Sequence, residues 1–275
     1  MSKGILIYAT GEKYIKQAYL CALSIKASGN STPVSLFTDD EIENKNDVFD
    51  KIVINKWPVF DTSTYQVLNR WKPYHYTPYD ETIVLDADTL VLQDITDWWS
   101  FFEKYDLFFP TKVYTYRNIP LTSDYYRKAF VENSLPNIYS GIHYFRKSDK
   151  AHLFFKWLEV VSNNWELFYG NFCKERYPKV PSMDLSTAIV TKILELDQDV
   201  TNHKINFLKF VHMKVHAQEW QTLRSERWID QIGIYLTEDL NLIIGNYLQS
   251  GIFHYVEDDF VTDEIIEAFE RKVLK

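Results

Sequence analysis

Residues Ile83-Val84-Leu85-Asp86-Ala87-Asp88-Thr89-Leu90-Val91-Leu92 read IVLDADTLVL: an apolar run, two carboxylates one residue apart, and the apolar run again. A short, unbroken Ile/Val/Leu run fits a strand buried on both faces, as in a parallel sheet with helices on either side. Two aspartates in such a place cost free energy unless something cationic meets them.

The flanking sequence supports that sheet. Gly4 to Ala9 (GILIYA) reads as a first buried strand and Lys13 to Ala27 as the helix behind it, with Ile15, Tyr19, Leu23 and Ala27 on one stripe. Strands are expected at Val34–Thr38, which runs into Asp39-Asp40, at Lys51–Ile54 and at Thr82–Leu85. Ser63–His75 reads as a helix until Pro73 and Pro78 break it. Strands alternating with helices imply an α/β fold with a mostly parallel central sheet. Further on, Lys112–Pro136 reads as a long loop or lid, Gly141–Phe145 as a strand, and Asp149–Asn164 and Met183–Leu194 as helices. Ile205–His212 reads as a strand; Ile232–Leu236, Leu242–Ile244 and Gly251–Tyr255 read as short antiparallel strands before an amphipathic tail helix from Thr262. No repeat, low-complexity segment or clear linker interrupts the 275 residues, so one domain with a small C-terminal antiparallel portion is the economical reading.

Composition narrows the function. Hydrophobic residues at 46% and charged ones at 25% suit a globular enzyme. A net charge of −8 argues against a surface that grips phosphate backbones throughout. Cys21 and Cys173 are the only cysteines, so a disulfide framework is not the design. No stretch approaches the roughly 18–20 apolar residues of a membrane span, and the N-terminal apolar run is too short for a signal peptide, so a cytoplasmic location is expected.

Residues i and i+2 of an extended segment face the same side, so Asp86 and Asp88 are expected to point together from the C-terminal end of their strand. Ligands bind there in open α/β sheets. Two hard oxygen donors suit Mn2+ or Mg2+, which in turn holds a diphosphate. A bare Asp-x-Asp is a weak motif, and Asp197-Gln198-Asp199 supplies a decoy, expected in a solvated turn. For Asp86 and Asp88 the plain alternative is a capping turn after a strand.

IVLDADTLVLQDI resembles the metal-binding motif of glycosyltransferase family 8, the glycogenin and bacterial galactosyltransferase group with the GT-A fold. Tyr8-Ala9-Thr10 with Tyr14 matches the family's first strand and turn, which hold the base and ribose of the nucleotide. Arg70 lies where the family carries a basic residue that contacts the donor, Tyr139-Ser140-Gly141 resembles its Asn-Ser-Gly turn, and Asp184 resembles the Asp of its Asp-Gln pair near the sugar. The family's metal-binding His follows a strand, with a Trp eight residues later. His212 with Trp220 has that spacing and is the expected third ligand, and His254 in GIFHYVEDD is the rival. Tyr139 and Leu185 depart from the family's Asn and Gln, which bears on the anomeric retention most members show. The family's Gly and Lys after the metal His are also missing, and Lys214 is the candidate cation in their place.

The resemblance implies a GT-A type (Rossmann-like) domain over residues 1–275, with a nucleotide-binding half at 1–110, an acceptor and sugar half at 111–225, and C-terminal strands and helix at 226–275. It implies a metal-dependent glycosyltransferase that takes a sugar from a nucleotide-diphosphate sugar, a UDP-sugar first of all, to a hydroxyl acceptor. Asp86, Asp88 and His212 would hold Mn2+ (or Mg2+). Ala9, Thr10, Tyr14, Arg70, Lys72, Ser140 and Lys214 would contact the donor. Asp184 would position the sugar or stabilise positive charge, with a helix N-cap as its plain alternative. The strip KVYTYRNIPLTSDYYRK (Lys112 to Lys128) interleaves aromatics and cations, which suits a glycan, an exposed base, or simple packing on the core. A glycan acceptor leads, with a hydroxylated base in DNA second. A sugar-nucleotide nucleotidyltransferase is disfavoured because Gly11 alone stands where a Gly-rich phosphate loop would be, and a noncatalytic sugar-binding protein is disfavoured by the intact ligand set.

Overall fold

Strand β1 (Lys3–Tyr8) leads through helix α1 (Glu12–Ala27) to β2 (Val34–Thr38), β3 (Lys51–Ile54) and, after the short helix α2 (Lys72–Tyr76), β4 (Glu81–Asp86). In the computed structural model the described residues are 1–56, 65–121, 127–174, 178–200, 208–214 and 227–274. The next strand, β5 (Thr89–Val91), leaves this sheet. Helix α3 (Trp98–Phe102) then leads to β6 (Leu107–Phe108), α4 (Lys128–Glu132) precedes β7 (Ile142–Arg146), and both strands join antiparallel to give the order β3-β2-β1-β4-β7-β6. The four N-terminal strands are mutually parallel, as their alternation with helices predicts.

Alternation along the strands divides the core in two. Ile5, Ile7, Leu36, Ile83 and Leu85 pack on the side of α1. Leu6, Tyr8, Phe37 and Val84 pack on the other side, against α5 (Asp149–Asn163) and α7 (Met183–Ile193), with α6 (Trp165–Phe172) between them in the chain. β1 and β4 are therefore apolar on both faces, which is why their runs are unbroken. Ser148 caps α5, its hydroxyl accepting from the Ala151 amide at 3.2 Å.

Two small sheets complete the fold. β9 (Ile234–Leu236), β10 (Leu242–Ile244) and β11 (Tyr247–Leu248) form an antiparallel sheet. β12 (Ile252–His254) lies between β5, to which it is antiparallel, and β8 (Phe210–His212), to which it is parallel. Helix α9 (Asp263–Val273), capped by the Thr262 hydroxyl, closes the chain against α1: the Tyr19 hydroxyl donates to Glu270 at 2.6 Å, and Lys16 pairs with Asp263 at 2.8 Å.

Several sequence expectations change. Asp86 to Asp88 is not an extended segment: the strand expected at Thr82–Leu85 is β4 and ends at Asp86, Ala87 and Asp88 form the turn that was the plain alternative, and β5 belongs to another sheet. The Thr89 hydroxyl closes that turn by donating to the Asp86 carbonyl at 2.7 Å. Pro73 starts α2 rather than breaking a helix, since the first helical turn has no use for its missing N–H. Residues 63 and 64 of the expected Ser63–His75 helix lie outside the described residues, and a 3-10 turn at Gln66–Asn69 precedes α2. The described part of Lys112–Pro136, read as a long loop or lid, includes helix α4 and is anchored by buried Val113, Tyr116 and Phe130, while Ile119 and Val131 are exposed. The expected Ile205–His212 strand is β8 over Phe210–His212 only, 205–207 lying outside the described residues. The antiparallel assignment for Gly251–Tyr255 holds toward β5 but not toward β8. The decoy aspartates start a short helix, α8 (Asp197–Val200), with Asp199 paired to Lys150 at 2.7 Å.

Candidate metal centre and flanking chambers

The chain passes from β1 outward to β2 and β3, then returns to the opposite side of β1 with β4. That reversal opens a crevice at the C-terminal ends of β1 and β4, the place where such sheets take ligands. Ala9 and Thr10 leave β1 there, and Asp86 ends β4 beside them. β12 and β8 deliver His254 and His212 to the same crevice in register with each other.

These side chains answer the opening cost. Arg70 forms an ion pair with Asp86, and His254 Nε2 lies 2.9 Å from Asp88 Oδ2. Burial pushes the Asp86 carboxyl above the usual carboxylate range, against the pull of Arg70. Burial works the same way on Asp88, but His254 overcomes it and holds that carboxyl low. Donor atoms of Asp86, Asp88 and His254 all lie within 4.8 Å of one another, the one such group of three or more His, Cys, Asp or Glu side chains among the described residues. Two hard oxygens and an imidazole nitrogen suit Mn2+ or Mg2+.

His212 stands next to this group. Its Nδ1 is 3.0 Å from His254 Nδ1, and burial lowers its basicity well below the ordinary value. Burial thus disfavours a charge on His212, while Asp88 favours one on His254 against the cost of burial. Phe210 stacks on the His254 ring with centroids 5.9 Å apart. Gly141 completes the wall: its carbonyl accepts from the Asp86 amide at 2.9 Å. A Cβ at Gly141 would lie 2.9 Å from the Phe210 ring, 3.3 Å from Asp86 Oδ2 and 3.5 Å from His254 Nδ1.

Two chambers meet at this wall, and Arg70, Asp86, His212, Lys214 and His254 line both. The smaller, about 340 Å³, reaches over Ala9, Thr10, Tyr14, Gln66 and Asp88. Its floor is anchored by polar bonds: Gly11 N–H donates to Asp40 at 2.7 Å, the Thr10 hydroxyl to Asp39 at 3.4 Å, and Asn55 to Asp39 at 2.5 Å. The larger, about 650 Å³, is lined by Phe130, Tyr139, Val180, Met183, Leu185 and Phe210, with Ser140 and Asp184 on one wall.

Asp184 lies in the first turn of α7 but is not its N-cap, a position held by Ser182. One carboxylate oxygen accepts from the Ser140 amide at 2.8 Å and from the Ser140 hydroxyl, and the other from Arg127 Nη1 at 2.5 Å. Burial opposes ionisation, but Arg127 first and Ser140 second keep this carboxyl below its ordinary pKa. Arg127 is itself buried. Its Nε donates to Asn137 at 2.7 Å, another N–H reaches the Ile138 carbonyl, and Phe130 and Tyr139 lie 4.0 and 3.9 Å from the guanidinium.

Of the residues expected at the site, the structure brings together Asp86, Asp88, Arg70, His212 and Lys214, sets Ala9, Thr10 and Tyr14 in the smaller chamber, and sets Ser140 and Asp184 in the larger. It does not bring Lys72 there: Lys72 is buried beside Trp71, lines neither chamber, and has its basicity lowered by that burial. Trp220 lies outside the described residues. Sequence reasoning missed Arg127, which stood undistinguished in a cation-rich strip. It also ranked His254 second, although Ile252-Phe253-His254 has the same apolar-then-His form as Val211-His212.

No protein-family model and no curated protein matches this chain. Among solved structures, the galactosyltransferase LgtC, in complex with donor and acceptor sugar analogues, aligns over 98% of this chain and 95% of its own, with a TM-score of 0.53 and 14% identity. The apo form of the glycosyltransferase GlyE from Streptococcus pneumoniae TIGR4 aligns over 100% of this chain with a TM-score of 0.49 and 15% identity, this chain spanning 61% of the GlyE chain. The LgtC likeness is one of fold, and it bears out the GT-A arrangement expected from the sequence.

Proposed function

We propose that this chain is a metal-dependent glycosyltransferase that moves a sugar from a nucleotide-diphosphate sugar, a UDP-sugar first of all, to a hydroxyl acceptor. The observation that carries the reading is the convergence of Asp86, Asp88 and His254 on the wall between a polar and a mainly apolar chamber. The fold shared with a galactosyltransferase supports it.

Asp86, Asp88 and His254 would hold Mn2+ or Mg2+, and His212 would orient His254 from behind. When bound, a divalent ion neutralises charge that develops on a leaving diphosphate. Arg70 and Lys214 line both chambers and would add positive charge on the same side. Thr10 and Tyr14 would receive the nucleoside in the smaller chamber. Asp184, kept ionised by Arg127 and Ser140, would hold the sugar hydroxyls or face positive charge at the anomeric carbon. Retention of anomeric configuration is part of the proposal.

The test is calorimetric titration with UDP, GDP and CDP, each with and without Mn2+. One nucleotide should bind in a metal-dependent way, and Asp88→Asn should abolish that dependence. Absence of binding by every nucleotide would overturn the proposal.

A further inference from the structure

We infer that the acceptor carries a sizeable apolar group, an aryl or alkyl aglycone, seated in the larger chamber. The inference rests on the transferase reading and adds the acceptor's chemical class to it.

The two chambers share one wall but differ in lining. Beyond the wall, the described lining of the larger chamber offers polar groups from the Ser140, Ser182 and Asp184 side chains and the Tyr139 hydroxyl, against apolar surface from Val67, Ala129, Phe130, Val180, Met183, Leu185 and Phe210. Ser140 and Asp184 already bond to each other, and Asp184 also holds Arg127. A bare glycan presents hydroxyls around each ring, and a hydroxyl buried without a partner loses its bonds to water and gains none in return. Phe130, Tyr139, Met183, Leu185 and Phe210 instead offer apolar surface, which gains most free energy against the larger apolar area of an aryl or alkyl group.

Size points the same way. At about 650 Å³ the chamber falls in the range of roughly 300–1,000 Å³ that encloses whole small molecules, so it holds more than one sugar ring. Its mouth is apolar as well: Val180, between Pro178 and Pro181 on the lining, is 55% exposed. Asp184, whose carboxylate oxygens can each accept a further hydrogen bond, stands on one wall, where it can engage the transferred sugar while the aglycone extends toward Val180.

The test compares methyl, octyl and phenyl glycosides of glucose and galactose by calorimetry, with UDP and Mn2+ titrated in parallel. Octyl and phenyl glycosides should bind at least about tenfold tighter than methyl glycosides, as burial of several CH2 groups requires. Val180→Asp, an exposed substitution that the fold should bear, should narrow that gap severalfold and leave UDP binding unchanged, and Met183→Gln should do the same. Equal affinity for methyl and octyl glycosides, with UDP still bound, overturns the inference alone. So does tight binding of an oligonucleotide containing hydroxymethylcytosine with none of the octyl glycoside, since a flipped base would then fill the chamber. Failure of every nucleotide to bind overturns the transferase reading and the acceptor role with it.

Discussion

His212 Nδ1 lies 3.0 Å from His254 Nδ1, while His254 Nε2 lies 2.9 Å from Asp88, so one imidazole bridges the carboxylate and the other imidazole. This order sets different roles. His254→Ala should abolish Mn2+ binding. His212→Ala should weaken it by about 10–100-fold, the usual cost of losing an orienting partner. Titration of each variant with Mn2+ decides the assignment, and retention of binding in His254→Ala would transfer the ligand role to His212.

Arg70 is the cation that makes Asp86 tolerable beside Asp88. Arg70→Met should destabilise the metal-free protein by roughly 1–3 kcal/mol, below the about 3–5 kcal/mol of a fully buried broken pair, because both side chains keep some solvent. Saturating Mn2+ should restore much of the loss, since a bound cation replaces the lost charge. Chemical denaturation with and without Mn2+ measures both numbers.

Gly141→Ala adds one methyl where the Phe210 ring, Asp86 and His254 already crowd. The expected stability cost is about 1–3 kcal/mol, as for other overpacked sites. Mn2+ affinity should fall by a larger factor than stability alone explains, because the methyl pushes on a carboxylate and on the His ring together. Unchanged affinity would show that the wall yields elsewhere.

Arg127→Lys should fail to replace Arg127. One ammonium cannot reach Asp184, Asn137 and the Ile138 carbonyl in the fork that the guanidinium spans. Both Arg127→Lys and Arg127→Met should lose about 3–5 kcal/mol in urea unfolding, the range for removing one partner from a buried ion pair.

His143 provides an acid limb. It is buried under Phe109, with Nδ1 3.2 Å from the Ser140 carbonyl, and burial lowers its pKa to about 4. The folded value lies below the ordinary 6.5, so the unfolded chain takes up the proton first as pH falls. Stability is thus present above about 6.5 and is lost progressively toward 4, by as much as about 3 kcal/mol. His143→Phe should flatten that part of the stability–pH curve, measured by denaturation at fixed pH values.

The centre of the sheet was legible because β1, β2 and β4 are buried on both faces. Val34–Thr38 and Lys51–Ile54 were read with the bounds they have, since short β-branched and aromatic runs mark strands with no knowledge of partners. The turn at Ala87-Asp88 stood only as an alternative, and the departure of Thr89–Val91 to a different sheet was not legible, because pairing partners leave no local mark. The carboxylates were legible from the contrast with their setting. His254 and Arg127 depended on long-range placement: a His after two apolar residues occurs twice, and only the fold shows which one reaches Asp88.

β12 also orders events in time. Asp88 and His254 are 166 residues apart, and β12 lies between β5 and β8 in their sheet. A ribosome releases β1 to β4, with Asp86, Asp88 and Arg70, long before residue 254 emerges. Until then the carboxylates have Arg70 for company and no imidazole. Completion of the centre is a late, non-local step, slow by the ordinary dependence of folding rate on sequence separation. Metal uptake during refolding should therefore trail the recovery of helix and sheet, making the protein a reporter of its own completion.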